Sequence, residues 1–204
     1  MSSAFNPKEQ ALSLDAKLIY ALERVSQIYR TLLWKTQVET GLSPIQSQIL
    51  IYMLFHDDNL LSISAFAIEF SVTKATISDA FKTLEKKGLV SKEKDIVDKR
   101  RQVLQLTKEG IRLAEKIQNY AQPLDEILKE FPQEVKSTLF LTLRDMLRAL
   151  NNKKLLAPLR MCTSCHYFTL KEGQAYCNLL ETPLKDEEIR LDCPEYENRE
   201  LSST

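Results

Sequence analysis

The sequence predicts a mainly α-helical fold. Long helices flank two short helices joined by a tight turn, a small β-hairpin follows, and a short cysteine-rich module closes the chain. Three observations carry this expectation. Apolar residues recur at steps of three and four near both ends of the body: Leu18, Leu22, Val25, Tyr29 and Leu32, then Val135, Leu139, Leu143, Met146 and Leu150. Two short capped segments in "LSISAFAIEFSVTKATISDAFKTLEKKGLV" run straight into two alternating, β-branched stretches. All four cysteines lie between Cys162 and Cys193, and the preceding residues have none.

Composition bounds the answer. The chain has 204 residues, enough for one good core and a small appendage, and only 4 glycines, a number that favours helices over turn-rich sheet. Its 44% hydrophobic and 27% charged residues are those of a globular protein. No apolar run reaches the ~18 residues of a membrane span. "MSSAFNPKEQ" lacks the basic-then-apolar plan of a signal peptide, so a cytoplasmic location is expected, where disulfides are disfavoured. Net charge is zero but segregated. Val72 to Arg101 holds nine Lys/Arg against five Asp/Glu, while Cys162 to Thr204 holds four against nine. A basic centre attracts phosphate and an acidic tail does not. Solvated helix faces account for that charge pattern equally well.

Residues 1–14 read as an N-terminal tail. The first long helix is expected from about Asp15 to Glu39, stopping near Gly41. Ser43, Pro44 and Gln46 open the next helix as N-cap, first helical residue and capping-box partner. Ser62 caps a short helix ending near Phe70. Thr73 caps another with Ile77, Ala80, Phe81 and Leu84 on its apolar side and Gly88 as its stop. Two short helices with a three-residue turn between them form a helix-turn-helix (62–88), whose second helix suits the DNA major groove. "LVSKEKD" and "RQVLQLT" read as strands, and the polar loop "IVDKR" between them makes the hairpin (89–106) a wing. Thr107 caps a helix to about Tyr120, Pro123 kinks or restarts it, and a last helix follows "FPQE". The apolar faces of the three long helices exceed what a small winged helix covers, which predicts a homodimer.

Residues 12–151 resemble the MarR family of bacterial transcriptional regulators. The resemblance rests on "TKATISDAFKTLEKKGLV" followed by "DKRRQVLQLTKEG", in which Asp98, Arg100, Leu106, Thr107 and Gly110 keep the family's wing spacing. It implies a dimeric repressor, with a winged helix and dimerisation domain over 15–151, that occupies a palindromic site on double-stranded DNA. It assigns contacts with bases or phosphates to Thr73, Lys74, Thr76, Ser78 and Lys82. By the same resemblance Arg100 enters the minor groove, Asp98 orients the wing, and Lys99 and Arg101 add phosphate attraction. A pocket for a small apolar effector is also expected. Asp79 departs from the pattern, because a carboxylate facing DNA repels phosphate unless it accepts from cytosine or pairs with Lys82.

After a linker (152–160), the module at 161–204 spaces its cysteines C-x2-C-x11-C-x15-C. Cys162, Cys165, Cys177 and Cys193 form a four-thiolate set that suits zinc or an iron–sulfur cluster. So short a segment also needs a bound centre to fold. Structural zinc sites usually take two close pairs of ligands, and only one pair is present. The wide spacing, with Pro194 after the last cysteine, places a [4Fe–4S] cluster slightly ahead of zinc. "CTSCHYF…YCNLL…LDCPEY" also resembles small iron–sulfur modules, such as the small subunit of a glycyl-radical decarboxylase. Such a centre is expected to stabilise the module or to sense redox state, oxygen or iron. His166 reads as a surface or supporting residue and His56 as ordinary. No phosphate loop, H-E-x-x-H or nucleophile elbow is present, so an enzyme is not expected. An iron–sulfur electron-transfer accessory and a winged helix used for protein contacts are the alternatives.

Overall fold

The computed structural model describes residues 3–94, 102–155 and 157–199. They form two compact units, each built from two separate stretches of chain: Met1–Phe55 with Ile77–Leu124, and His56–Thr76 with Asp125–Thr204.

The first unit begins with α1 (Pro7–Leu12) and α2 (Leu14–Thr40). Helix α1 lies within residues 1–14, which the sequence alone reads as a tail. The short helix forms because Asn6 accepts from the Lys8 amide and Pro7 stands at the first helical position. Gly41 ends α2 in the left-handed conformation (φ 67°) with its N–H on the Gln37 carbonyl. The capping box expected at α3 (Pro44–Phe55) is present on one side, with the Ser43 amide donating to Gln46 Oε1 at 3.0 Å. Helix α3 packs on α2, on α6 (Lys108–Ile117) and on β2 (Gln102–Leu106). Leu42, Ile49, Leu50, Ile77, Phe81, Leu84 and Ala114 lose all contact with solvent. Each large side chain among them contributes about 1.5–3 kcal/mol by leaving water. Ser47, also fully buried, is satisfied by the Thr36 hydroxyl at 3.3 Å.

The hairpin pairs β1 (Val90–Lys94) with β2 antiparallel, Val90 opposite Leu106. Its base joins the core through Val90 and Leu104, which are both buried. Thr107 clamps the junction. Its Oγ1 donates to the Gly88 carbonyl at 2.7 Å and accepts from the Gly110 amide at 3.0 Å.

The second unit holds α4 (Ile63–Glu69), most of α7 (Gln122–Lys129), α8 (Gln133–Asn152) and the cysteine module. Pro123 lies inside α7, so the chain restarts there as a new helix. Within the module β3 (Phe168–Lys171), β4 (Gln174–Cys177) and β5 (Thr182–Pro183) form a small antiparallel sheet in the order β3-β4-β5. Glu172 and Gly173 turn the β3–β4 hairpin at φ 52° and 82°, the left-handed pair that matches strand twist. The module docks on α8 through Arg144, 3.0 Å from Asp186, and through a hydrogen bond from Ser137 to Glu187.

The long helices leave much apolar surface uncovered. Leu18, Leu22, Val25 and Tyr29 of α2 are exposed, and α8 has no buried residue although Val135, Leu139, Met146 and Leu150 line it.

Candidate functional site

The helix α5 (Lys74–Lys86) is the centre of the first site. It follows α4 after a turn in which the Val72 amide reaches back to the Ala67 carbonyl at 3.0 Å and Ser71 is left-handed. Thr73 supplies the start as expected, its Oγ1 accepting from the Thr76 amide at 3.1 Å. The end is a Schellman closure. The Leu89 amide bonds the Leu84 carbonyl, and Gly88 takes φ 70°. Ile77, Ala80, Phe81 and Leu84 are buried, which forces the other side of the helix outward. Thr73, Lys74, Thr76 and Lys82 are exposed and Ser78 is half-buried. Asp79 pairs with Lys82 at 3.2 Å, so the carboxylate that breaks the expected pattern is neutralised on its own helix.

The base of the hairpin stands beside this helix. Lys92 of β1 lies 3.9 Å from Glu85, and its ammonium sits 5.1 Å from the centre of the Phe81 ring. These contacts hold the base of β1 against α5. Asp98, Lys99, Arg100 and Arg101 lie outside the described residues.

The second site is in the module. Cys162, Cys165, Cys177 and Cys193 all line one cavity, walled by Tyr167, Phe168, Leu179, Leu180 and Leu184. Three local structures deliver them. A 3-10 turn, Cys162–Ser164, presents the close pair. Strand β4 ends on Cys177, opposite Phe168 and Thr182. A loop carries Cys193, whose amide donates to the Arg160 carbonyl at 3.0 Å. The chain end secures the arrangement, because Arg199 donates to the carbonyls of Cys165 and Phe168 at 3.2 and 2.7 Å. His166 is exposed and leans edge-on against Tyr167, away from a ligand's role.

Arg190 addresses two of the sulfurs. Its amide donates to Cys162 Sγ at 3.2 Å and its guanidinium approaches Cys193 Sγ at 3.8 Å. Burial pushes the Cys162 thiol up, the Arg190 amide pulls it down, and the charges of the other three cysteines push it up again. Four thiolates this close repel one another unless a cation sits among them. The cavity measures about 40 Å³. One water needs about 10–15 Å³ on that measure, so the space exceeds a single small atom. Among the described residues no three His, Cys, Asp or Glu side chains converge tightly enough to hold one metal ion. Four cysteines lining one cavity are a donor set suited to a thiolate-bound centre.

One residue was missed by sequence reasoning. His56, read as ordinary, places Nε2 3.0 Å from Asp192 Oδ2, next to Cys193.

Residues 40–101 match the family model described as MarR family. Among solved structures, the chain is similar to a complex of the Staphylococcus aureus protein MepR with DNA. The TM-score is 0.57 at 23% identity, over 64% of this chain and 96% of that one. It is similar also to S. aureus MepR in DNA-binding conformation, with TM-score 0.57 and 22% identity, over 65% and 98%. The fold is a MarR-type winged helix-turn-helix. In that frame α4 and α5 correspond to the helix-turn-helix and β1–β2 to the strands of the wing. MepR is covered almost whole, whereas about a third of the present winged-helix chain lies beyond the match. No curated protein matches the chain. Among the described residues no helix is long and apolar enough to cross a membrane.

Proposed function

We propose that this winged-helix protein is a homodimeric transcriptional regulator that binds double-stranded DNA through α5 and the wing, and that its four cysteines hold a [4Fe–4S] cluster. The exposed hydroxyl and lysine face of α5, beside a hairpin whose base is anchored by Lys92, carries the DNA reading. Short hydroxyls let the helix approach phosphates and base edges closely, and lysines supply attraction. One of the MepR structures of the same fold is itself a DNA complex. The wing loop adds Lys99, Arg100 and Arg101, with Asp98 to orient them, by family resemblance. A repressor that occludes a promoter, and a small-molecule effector, belong to this reading through the resemblance alone.

The exposed apolar faces of α2 and α8 support a second copy as partner. An amphipathic helix of 20 residues with nothing buried leaves its apolar stripe in water. A twofold partner covers such a stripe and sets two recognition helices for a palindromic site.

The cluster is favoured over zinc by the cysteine spacing, one close pair and two widely separated single cysteines. When bound, the cluster supplies one-electron redox chemistry and sensitivity to oxidants. The chain's own residues bind it through four thiolates, shield it with Phe168, Leu179, Leu180 and Leu184, and stabilise negative charge through Arg190.

Two measurements test the reading. Affinity for duplex DNA should fall steeply with salt, with a logarithmic slope of about −0.9 per neutralised phosphate, and Arg100→Ala should weaken it. Binding indifferent to salt and to that substitution overturns the DNA assignment. Anaerobically purified protein should be brown and contain iron and sulfide. A colourless protein with one zinc per chain overturns the cluster.

A further inference from the structure

The cysteine module is tied by a side-chain bridge to the segment that leads into α4. Asp192, the residue before the ligand candidate Cys193, accepts from Arg160 Nε at 2.7 Å through Oδ1 and stands 3.0 Å from His56 Nε2 through Oδ2. Arg160 is itself two residues before Cys162, and its carbonyl accepts the Cys193 amide. One carboxylate therefore joins the segments of Cys162 and Cys193 to His56. That histidine is the first residue after α3 and leads through the turn at Asp58–Leu60 into α4. His56, α4, the following turn and the module belong to the same compact unit. The side chains of His56 and Arg160 are only 16% and 13% exposed, and Asp192, their shared acceptor, is half-exposed, so the bridge is shielded from water on the donor side.

We infer that the Arg160–Asp192–His56 bridge transmits the state of the four-cysteine centre to α4 and the turn, so that loss of the centre loosens the helix-turn-helix. The inference rests on the proposed metal centre. With the centre bound, Cys162 and Cys193 are fixed to each other through it, and Arg160 and Asp192 are held in register. Without it, the four sulfurs protonate and no longer share a common anchor, the loop of Cys193 shifts, and Asp192 leaves His56. The coupling needs no second ligand, only a contact that one state keeps and the other loses.

Hydrogen exchange in the full-length protein, loaded anaerobically or stripped with a chelator, tests this without a known operator. In the wild type, stripping should speed amide exchange across residues 62–72 by about tenfold. In His56→Leu, the same amides should exchange fast in both states, while iron content and spectrum stay those of the loaded wild type. Asp192→Asn should behave alike if it still loads. Affinity for a duplex selected from a random pool by the loaded wild type should follow the same pattern. Wild-type protein that loads but shows equal exchange in both states sinks the coupling and leaves the centre standing. His56→Leu that responds to stripping as the wild type does overturns the route through His56. Wild-type protein that takes up no metal removes the centre and the coupling together.

Discussion

Gly110 sits third in α6, where the helix crosses the first residues of the wing. A Cβ built there would stand 1.9 Å from the Leu89 carbonyl oxygen, 2.9 Å from its carbon and 3.3 Å from Leu106 Cδ2. The first two atoms are backbone and cannot rotate aside, so Gly110→Ala must part α6 from the wing by about 1 Å. Overpacking of this kind costs about 1–3 kcal/mol. The same displacement stretches the Thr107 clamp to the Gly110 amide and the Gly88 carbonyl, a cap worth about 1 kcal/mol. Alanine's helix propensity returns at most about 1 kcal/mol. The net expectation is a loss of roughly 2 kcal/mol. Urea unfolding followed by Trp34, the single tryptophan and a residue of the same unit, reads it directly. The midpoint should drop with an unchanged slope. A midpoint equal to or above that of the wild type would show that α6 does not press on Leu89 and that the wing is not seated as described.

Other substitutions separate the remaining claims. Asp79→Asn frees Lys82 from its 3.2 Å partner and removes a negative charge. Duplex affinity in fluorescence anisotropy should rise severalfold at low salt, and Lys82→Ala should lower the salt slope by about one. Cys165→Ser should abolish iron binding and leave the module's strands open to protease, since the thiol is buried and its carbonyl is held by Arg199. Arg190→Gln removes the guanidinium 3.8 Å from Cys193 Sγ but keeps the amide on Cys162. The potential of a bound cluster should fall by tens of millivolts in a spectroelectrochemical titration. Tyr120 has its phenol pushed up by burial and then by Tyr29. Its folded value exceeds the unfolded one, so its contribution to stability is complete below the unfolded value and lost as pH rises through the folded one. Tyr120→Phe should delete the late phase of tyrosinate absorbance and flatten the alkaline loss of stability.

Local chemistry was the legible part. Ser62, Thr73 and Thr107 cap helices because capping joins residues three apart, and that spacing is visible in a string of letters. Ile77, Ala80, Phe81 and Leu84 declare their buried side by helical period, which leaves Thr73, Lys74 and Lys82 outside. Helix α1 was missed although Asn6 and Pro7 announce it, because six residues show no period. The β3–β5 sheet was missed because strands of four and two residues are too short to alternate recognisably. The gathering of the cysteines around one cavity was legible, since their exclusive clustering already implied it. The meeting of His56 with Asp192 joins residues 136 apart, and no spacing rule reaches that far.

The interleaving of the two units has a consequence for how the chain is made. Residues His56–Thr76 group with Asp125–Thr204, so α4 emerges from the ribosome well before most of its unit exists. At about 5–20 residues per second the wait lasts several seconds or more. Phe66, destined to be fully buried, stays in water meanwhile. The unit that holds α4 is thus incomplete until the acidic, thiol-bearing end is synthesised, and shortening the gene at its 3′ side should leave Phe66 and its neighbours less protected from protease than in the full chain.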